Sequence, residues 1–394
     1  MNEQDYRAPA SVSRVQSAGL AIGGVALLAA IFGAVSSPEK FYQSYLFSYM
    51  LVLGLTLGSL GLLMLQHLTG GHWGIIIRRP LEAASRNIWL VLLMFVPIVL
   101  GMKSLYRAWL DPEKLKAEPL SAYQQGYLTS AGFLGRAVLY FAIWGALVWL
   151  FNSWSREQDQ NREDRALRRR LKLLAGPGII LYVLAMTFAA IDWVMSLSPH
   201  WASTIYGFIF VAGQAITAMS LMIIVVAALS NSEPYAGIIQ KRHLHDLGKL
   251  LFAFNMLWAY FDFSQLLIIW SGNQPEEISF YRTRLDGGWG VVAVIVLLFS
   301  FALPFLVLLS RDVKRSAGLI SKVAVWMILM RLVDLFWMTR PEFSSSALPT
   351  WLDIVVPIAL IGLWIGFFAL NLKQQPLLPL GDPKLAEAIA YHER

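Results

Sequence analysis

The chain has 394 residues, of which 57% are hydrophobic and only 14% are charged, and its net charge is +7. A soluble protein usually carries about a quarter charged residues, so this composition argues against a soluble protein. The chain has no cysteine, which excludes a disulfide framework, a thiolate iron–sulfur site and a CxxCH haem attachment within it. Its basic residues lie in connecting loops, which indicates membrane orientation rather than nucleic-acid binding.

Apolar runs of about 20 residues, the length that crosses a bilayer, recur along the chain. They predict an all-α integral membrane protein of about ten transmembrane helices. The predicted helices span 16–35, 43–69, 85–106, 131–154, 177–197, 203–230, 248–271, 288–310, 318–339 and 353–372. Segments 1–15 and 373–394 are predicted to flank a transmembrane domain at 16–372. The two longest connections are 107–130 and 155–175, the second of which is predicted to form a charged helical hairpin arm.

Lysine and arginine residues concentrate on one side of the predicted helices. That side receives both termini, a loop near Arg78 and Arg79, and the 155–175 connection. The opposite side has only scattered basic residues, such as Lys40, Lys114, Lys116, Arg282 and Arg340. Because positively charged loops remain in the cytoplasm, both termini are predicted to be cytoplasmic.

A short internal repeat has the pattern aliphatic-Asp-x6-Pro-[HE]-aromatic. It occurs at Ile191-Asp192 with Pro199-His200-Trp201, and again at Val333-Asp334 with Pro341-Glu342-Phe343. The copies lie four helices apart and therefore point the same way. Parallel repeats of this kind predict a pseudo-twofold axis along the membrane normal. Helices two to five, at 43–197, and six to nine, at 203–339, would be two similar four-helix bundles flanked by helices one and ten.

Several ionisable residues lie towards the outer ends of the predicted helices. Such groups cost roughly 2.5–3.5 kcal/mol each at the centre of a membrane helix, so they are expected to face the protein interior and find partners. The outer group comprises Lys103, Arg136, Asp192, His200, Asp262, Arg331 and Asp334. Asp262 lies deepest, about 12–15 Å from the outer end of its helix at 1.5 Å per residue.

Two carboxylates of this group are the strongest candidates for proton transfer or ligand binding. Asp192 and Asp262 are too short to reach the interface, whereas Lys103 and Arg136 near helix ends can extend to it. His200 follows Asp192 within two helical turns. The two residues are predicted to form a hydrogen-bonded acid/base pair, with a surface histidine as the alternative.

The Arg331 and Asp334 side chains have the spacing of an ion pair within one helix. Residues three apart share a helix face, so the two side chains can meet. The pair is interpreted either as part of the outer functional group or as a structural ion pair between helices.

A second polar group is predicted on the inner side. It comprises His67, His72, His243, His245, Asp246 and Lys249. The HLHD segment resembles a metal-ligand cluster, but its alternate spacing puts the two histidines on different helix faces, so no metal site is predicted. Solvated helix-start residues or the inner mouth of a proton path explain the group better. Between the two groups lie polar residues that can carry water or bond helices together: Gln214, Thr217, Ser220, Asn255, Ser264 and Gln265.

Three segments carry a resemblance to a known family. They are AIDWVMSLSPHWASTIYGFIFVAGQ, DLGKLLFAFNMLWAYFDFSQLLIIW and the GGW at 287–289. They resemble the second polytopic membrane subunits (ActF) of alternative complex III, a bacterial quinol:electron-acceptor oxidoreductase. These subunits belong to the wider NrfD/polysulfide-reductase membrane-subunit family. The resemblance is clearest in helices five to eight and is compatible with the whole chain.

The resemblance implies a role that depends on partner subunits. It implies a bacterial inner-membrane protein that works with a homologous ten-helix subunit, an iron–sulfur protein and cytochrome c subunits. Haem c and iron–sulfur clusters would lie in those partners, and no cofactor would be covalently bound in this chain. Quinone (menaquinone or ubiquinone) would bind near the periplasmic face, where the family's outer polar cluster corresponds to Asp192, His200 and Asp262. His67 and the 243–249 segment would lie on an inner half-path for protons.

The leading hypothesis is a structural and proton-conducting subunit of a quinol-oxidising complex, with no redox centre of its own. A secondary transporter would also have parallel repeats and buried aspartates, but the two halves lack Gly/Pro-broken helices at corresponding positions. A purely structural membrane anchor of the same complex is the other alternative.

Overall fold

The computed structural model describes residues 6–161 and 165–390, and the regular structure in these ranges is helical. Ten long helices succeed one another along the chain. They are α1 Ala10–Ser36, α2 Pro38–Thr69, α3 His72–Leu100, α4 Ser130–Gln160, α5 Arg165–Trp193, α6 Tyr206–Leu229, α7 Lys241–Gly272, α8 Gly288–Leu309, α9 Ala317–Thr339 and α10 Leu352–Lys373. The positions of these helices follow the apolar runs of the sequence, because each run is long enough to cross a bilayer.

Two of the long helices are interrupted. α3 consists of His72–Ser85, Ile88–Met94 and Val96–Leu100. α8 consists of Gly288–Val296, a π-helical segment Leu297–Ala302 and Leu303–Leu309. Pro304 follows the π-helical segment, and a proline ring clashes with the carbonyl four residues earlier. The local widening of α8 before Pro304 accommodates that ring.

Short helices form the connections. They are Met102–Leu105, Arg107–Leu110, Pro112–Ala117 and Ala122–Tyr127 between α3 and α4, Pro275–Leu285 between α7 and α8, Arg311–Arg315 between α8 and α9, and Leu385–Ile389 in the C-terminal segment. Short 3₁₀ turns at Met195–Leu197 and Arg340–Glu342 follow α5 and α9.

Nine helices in the described part of the chain are long and apolar enough to cross a membrane. The prediction of an all-α membrane protein is confirmed at this level. α9 is not among the nine although it has 23 residues, because it carries Lys322, Arg331 and Asp334. The crossing of the membrane by all ten helices remains a prediction.

Helices α2 and α6 lie at the centre of the molecule and pack against each other. α2, α3, α4 and α5 form one closed ring of contacts, here called the first half. α6, α7, α8 and α9 form a second ring, the second half. α1 packs along α10, and both contact α2. The pseudo-twofold relation between the halves stays a prediction.

Hydrogen bonds define the two ends of the helix assembly. At the end that carries both termini, the terminal end, the Leu377 amide donates to the Tyr6 carbonyl, and the Tyr235 hydroxyl donates to the carbonyls of Ile76 and Leu377. At the opposite end, the far end, the Gln124 amide donates to the Pro199 carbonyl. The candidate residues of the sequence divide between these two ends.

The structure corrects several predicted boundaries near the terminal end. α3 begins at His72 rather than at residue 85, so Arg78 and Arg79 lie in a buried helix and not in a loop. α5 begins at Arg165, so the predicted arm at 155–175 is made in its described part by the ends of α4 and α5. Apolar residues such as Ile75, Ile76 and Ile77 flank the arginines, and their burial carries the arginines into the interior.

Candidate functional site

Asp192 is the centre of the far-end polar site in the first half. It is the penultimate residue of α5 and is fully buried. The Arg136 guanidinium of α4 donates one hydrogen bond to each Asp192 carboxylate oxygen, both at 2.9 Å. The Tyr140 hydroxyl, one turn further along α4, donates to Oδ2 at 2.6 Å. This fork geometry is the strongest arrangement for an arginine and a carboxylate, so the Asp192 side chain is held rigidly in place.

Arg136 itself is enclosed on the side away from Asp192. Its guanidinium lies over the Tyr127 ring, 3.8 Å from the centroid, and donates to the Tyr127 carbonyl at 3.1 Å. Burial, together with the negative charge of Asp192, raises the pKa of Tyr127 to about 12. The Tyr127 phenol therefore stays protonated and neutral at physiological pH. The interpretation that Arg136 only extends to the interface is wrong, because its side chain is committed to Asp192.

His200 does not join Asp192. Its ring is exposed at the far end and lies 3.8 Å from the Glu118 carboxylate. The chain turns at Met195–Leu197 after α5, which carries the residues beyond it away from the buried carboxylate. The predicted hydrogen-bonded pair of Asp192 and His200 is therefore wrong. Lys103 is also exposed, in the short helix Met102–Leu105, as expected for a side chain at the interface.

A cavity of about 940 Å³ opens at the far end between the two halves. His200, in the connection after α5, and Glu342, in the turn after α9, both line it. Neither Asp192 nor Asp262 lines it. A quinol hydroxyl has no access to Asp192, since both carboxylate oxygens are occupied and the residue is fully buried. The residues at Asp192 therefore do not fit the quinol site that the resemblance implies there.

The second half holds a different arrangement of the same residue types. Arg331 and Asp334 are both buried on α9 and form an ion pair. The predicted pairing of these two side chains is confirmed, because residues three apart lie on one helix face. Gly213 of α6 makes room for the Arg331 guanidinium, since a Cβ at Gly213 would overlap it. Of the two aspartates in the repeat, Asp192 pairs with Arg136 on the neighbouring helix α4, whereas Asp334 pairs with Arg331 on its own helix α9.

Asp262 lies beside this ion pair on α7. It is ten residues from the end of α7 at Gly272, a depth of about 15 Å. It is close enough to Arg331 and Asp334 to interact electrostatically with both. Within residues 6–161 and 165–390, the Asp262 carboxylate makes no hydrogen bond and no ion pair. Asp262 is thus a half-buried carboxylate without a direct partner, next to an arginine that already has one.

Polar side chains form a stripe along the inward face of α7. Asn255, Trp258, Asp262 and Gln265 follow one another at spacings of three or four residues, which places them on one side of a helix. The Asn255 amide donates to the Phe301 carbonyl at 3.4 Å, in the π-helical segment of α8. Its Oδ1 atom and the Trp258 Nε1 atom are buried without a hydrogen bond among the described residues. Unsatisfied buried polar atoms of this kind are typical of positions where water binds.

The remaining polar residues predicted between the two groups are mostly engaged in bonds between or within helices. Gln214 of α6 accepts a hydrogen bond from the Tyr182 hydroxyl at 2.7 Å, and Thr217 donates to the Gly213 carbonyl. Gln265 accepts from Ser203 and donates to the Tyr281 hydroxyl. Ser220 is fully buried, and its hydroxyl has no partner among the described residues.

The predicted inner group divides into two places at the terminal end. Asp246 and Lys249 form an ion pair of 2.7 Å at the start of α7, where His245 is half-buried. His67 lies near the end of α2 and stacks on Phe151 of α4, with 5.5 Å between the ring centroids.

The other two histidines of this group also lie at helix starts. His243 is fully buried, accepts from the Gln240 amide and contacts the Ala388 carbonyl, which ties the C-terminal segment to α7. His72 is the first residue of α3 and is half-buried. In the part of the chain that the structure describes, no three His, Cys, Asp or Glu side chains come together as a metal site.

A buried charge network at the terminal end escaped the sequence analysis. Glu82 of α3 accepts from Arg78 at 3.1 Å, from Arg79 at 2.6 Å and from the Ser155 hydroxyl at 2.6 Å. Arg78 also pairs with Asp382 at 2.8 Å, and Arg79 pairs with Asp159. The spacing of three and four residues between the arginines and Glu82 is the only local signal for it. The network joins α3, α4 and the C-terminal segment.

No family model matches the chain, and no curated protein matches it.

Proposed function

We propose that this chain is a proton-conducting and structural membrane subunit of a quinol-oxidising respiratory complex of the alternative complex III type. It lies in the bacterial inner membrane with both termini in the cytoplasm. The sequence resemblance in α5 to α8 and the apolar character of the long helices support this proposal. In it, quinone, haem c and the iron–sulfur clusters are bound by partner subunits, which include a homologous ten-helix protein.

The observation that carries the proposal is the environment of Asp262. An aspartate in a membrane helix is costly unless it has a partner or a function. Asp262 has no hydrogen bond in the described part of the chain, although Arg331 is close by. Because Arg331 is already neutralised by Asp334, Asp262 can gain or lose a proton without breaking an ion pair. A carboxylate of this kind suits a proton relay.

The polar stripe on α7 extends the relay towards the terminal end. When the Asp262 carboxyl group releases its proton, a chain of water molecules reaching to Asn255 Oδ1, seven residues or about 10 Å away along the helix, would carry it. The π-helical segment of α8 supports this step because its Phe301 carbonyl is used by Asn255. On the far-end side, Gln265 and Tyr281 provide hydroxyl and amide groups next to Asp262.

Asp192 has a structural role in this proposal. Uptake of a proton by Asp192 would break its two-point contact with Arg136, so this carboxylate is poorly suited to proton exchange. Glu82 also has a structural role, because its carboxylate accepts hydrogen bonds from Arg78, Arg79 and Ser155. Carboxylates that have a direct partner, such as Asp192 and Glu82, are therefore assigned a structural role. Asp262, which has no direct partner among the described residues, is assigned the functional one.

The first test is purification of the tagged chain from its native membranes in mild detergent. The proposal expects haem c absorption, a large iron–sulfur protein and a second ten-helix subunit to co-purify. A colourless protein without partners would overturn the assignment to a respiratory complex and favour a secondary transporter.

The second test isolates the proton relay within the assembled complex. Asp262→Asn should lower the number of protons moved per electron in reconstituted vesicles while the subunit composition stays normal. Asp286→Asn, which removes an exposed carboxylate at the far end, is the matched control. Normal proton translocation in the Asp262→Asn complex would overturn the relay and leave a purely structural subunit.

A further inference from the structure

A small cavity at the terminal end lies beside the Glu82 network. Its volume is about 100 Å³, and it is bounded by the end of α2, the start of α5 and the C-terminal segment. Four basic side chains line it: Arg78, Arg168, Lys172 and Lys384. Among the described residues, Asp382 is the one acidic residue in its lining. The described part of the lining therefore has an excess of three positive charges.

The basic side chains differ in whether they have partners. Arg78 already has partners, because its guanidinium donates hydrogen bonds to Glu82, Asp382, Ser155 and Gln158. It forms a fixed wall of the cavity.

The other three cations are available. Within the described residues, Arg168, Lys172 and Lys384 make no side-chain hydrogen bond and no ion pair. Arg168 and Lys384 are half-buried, so their charges are only partly screened by water. The Lys384 ammonium is positioned beside the loop after α2, since a Cβ at Gly70 would lie 3.8 Å from its nitrogen. Unpaired cations converging on one cavity favour an anion within it.

Two of the lining residues carry polar atoms without partners among the described residues. Gln66 is 5% exposed and lines the cavity, and its Oε1 atom has no hydrogen bond in the described part of the chain. His67 Nε2, also in the lining, is buried without a partner. Rotation of the glutamine side-chain amide by half a turn exchanges its oxygen and its nitrogen, so Gln66 can present its NH₂ group as a donor. A buried amide needs such a partner, and a ligand oxygen would supply it.

We propose that this cavity binds a phosphate group. A volume of about 100 Å³ corresponds to roughly three water molecules, which suits one tetrahedral oxyanion. Arg168 would contact the phosphate with its planar guanidinium and Lys384 with its ammonium, as these groups do in phosphate sites generally. Gln66 would donate from the buried side.

The phosphate has two sources that share this chemistry. Leu68, in the lining, and Leu173, next to Lys172 in sequence, are 38% and 64% exposed and face the surroundings of the helices. The mouth of the cavity is thus continuous with an apolar surface along which acyl chains can lie, and basic pockets between membrane helices bind anionic headgroups. Free inorganic phosphate is the other source.

The test uses the full chain purified in detergent and titrated with three probes. These are short-chain phosphatidylglycerol, short-chain phosphatidylcholine and inorganic phosphate at constant ionic strength. The variant Arg168→Ala/Lys384→Ala removes two unpaired cations from the cavity. Arg169→Ala/Arg170→Ala removes the same charge from neighbouring exposed positions outside the lining and is the matched control.

The proposal expects at least about tenfold weaker binding of phosphatidylglycerol or of inorganic phosphate in the cavity variant, because two charge-assisted hydrogen bonds are lost. The control variant should bind within about twofold of the unmodified chain. Binding of phosphatidylglycerol alone identifies the source as a lipid headgroup, and competition by inorganic phosphate identifies free phosphate. Equal loss in both variants, or no binding of either probe by the unmodified chain, would overturn the proposal.

Discussion

Gly23 of α1 and Gly362 of α10 touch backbone to backbone. A Cβ at Gly362 would lie 2.7 Å from the Gly23 Cα, and a Cβ at Gly23 would lie 2.5 Å from the Leu363 amide nitrogen. Gly19 and Gly366 repeat this close approach one turn away. Without a hydrophobic driving force between helices in lipid, close packing of small residues is a main source of association. The α1–α10 pair depends on this contact.

Gly23→Val should therefore weaken the packing of α1 against α10. The added side chain cannot fit without separating the helices, and overpacking of this kind costs about 1–3 kcal/mol. Thermal unfolding of the purified chain, followed by tryptophan fluorescence, should show a lower Tm. Gly24→Val is the control, because a Cβ at Gly24 meets open space. An equal Tm for the two variants would contradict the role of the glycine contact.

Asp192→Asn should destabilise the first half by leaving Arg136 without its counter-ion. Removing one member of a buried pair costs about 3–5 kcal/mol, and the 23% exposure of the Arg136 side chain places the expected value at the lower end. The free energy of unfolding can be measured by titration with SDS. Combining Asp192→Asn with Arg136→Gln should cost less than the sum of the single changes. Additive effects would show that the two side chains do not stabilise each other.

Asp192 and Asp334 differ in whether the local sequence predicts their partners. Each of the ten apolar runs overlaps a long helix, because length and composition are local properties, but the starts of α3 and α5 differ from the prediction. The Arg331–Asp334 pair was predictable since both residues lie on one helix. Asp192 and His200 are close in sequence but diverge after the turn at the end of α5. The true partner, Arg136, lies on the neighbouring helix α4, and nothing local to Asp192 indicates it.

The Glu82 network was missed for the same physical reason. Arg78 and Arg79 precede Pro80, which favours a loop in a sequence-based interpretation. Their partners Asp159 and Asp382 are distant in the chain. Glu82, on the same helix, supplies one of the carboxylates that the two buried arginines need, and the other two come from segments that a single sequence does not place beside them.

Glu82→Gln should strongly destabilise the terminal end. Glu82 accepts hydrogen bonds from Arg78, Arg79 and Ser155 and is fully buried. Its neutralisation leaves Arg78 with only Asp382 and Arg79 with only Asp159 as counter-ions. The hydrogen bonds to a charged acceptor that are weakened in the interior cost about 1.5–3 kcal/mol each. Limited proteolysis should then cut the C-terminal segment faster, because Arg78 also holds Asp382. Glu387→Gln, at an exposed position of that segment, should leave the cleavage rate unchanged. Unchanged proteolysis in Glu82→Gln would argue against a role of the network in docking the segment.

Gly213→Ala should test the geometry of the second half without altering any charge. The new methyl group would overlap the Arg331 guanidinium and push it away from α6. The ion pair with Asp334 and the field at Asp262 would both change, so proton translocation by the reconstituted complex should fall. The packing strain should lower the unfolding free energy by about 1–3 kcal/mol.

Gly176→Ala is the matched control for this change, because a Cβ at Gly176 of α5 meets open space. Gly176→Ala should retain both the Tm and the proton-to-electron ratio of the unmodified complex. If Gly213→Ala lowers the Tm but leaves proton translocation normal, the position of Arg331 is important for folding and not for the relay. The relay would then depend on Asp262 and the α7 stripe without help from the ion pair.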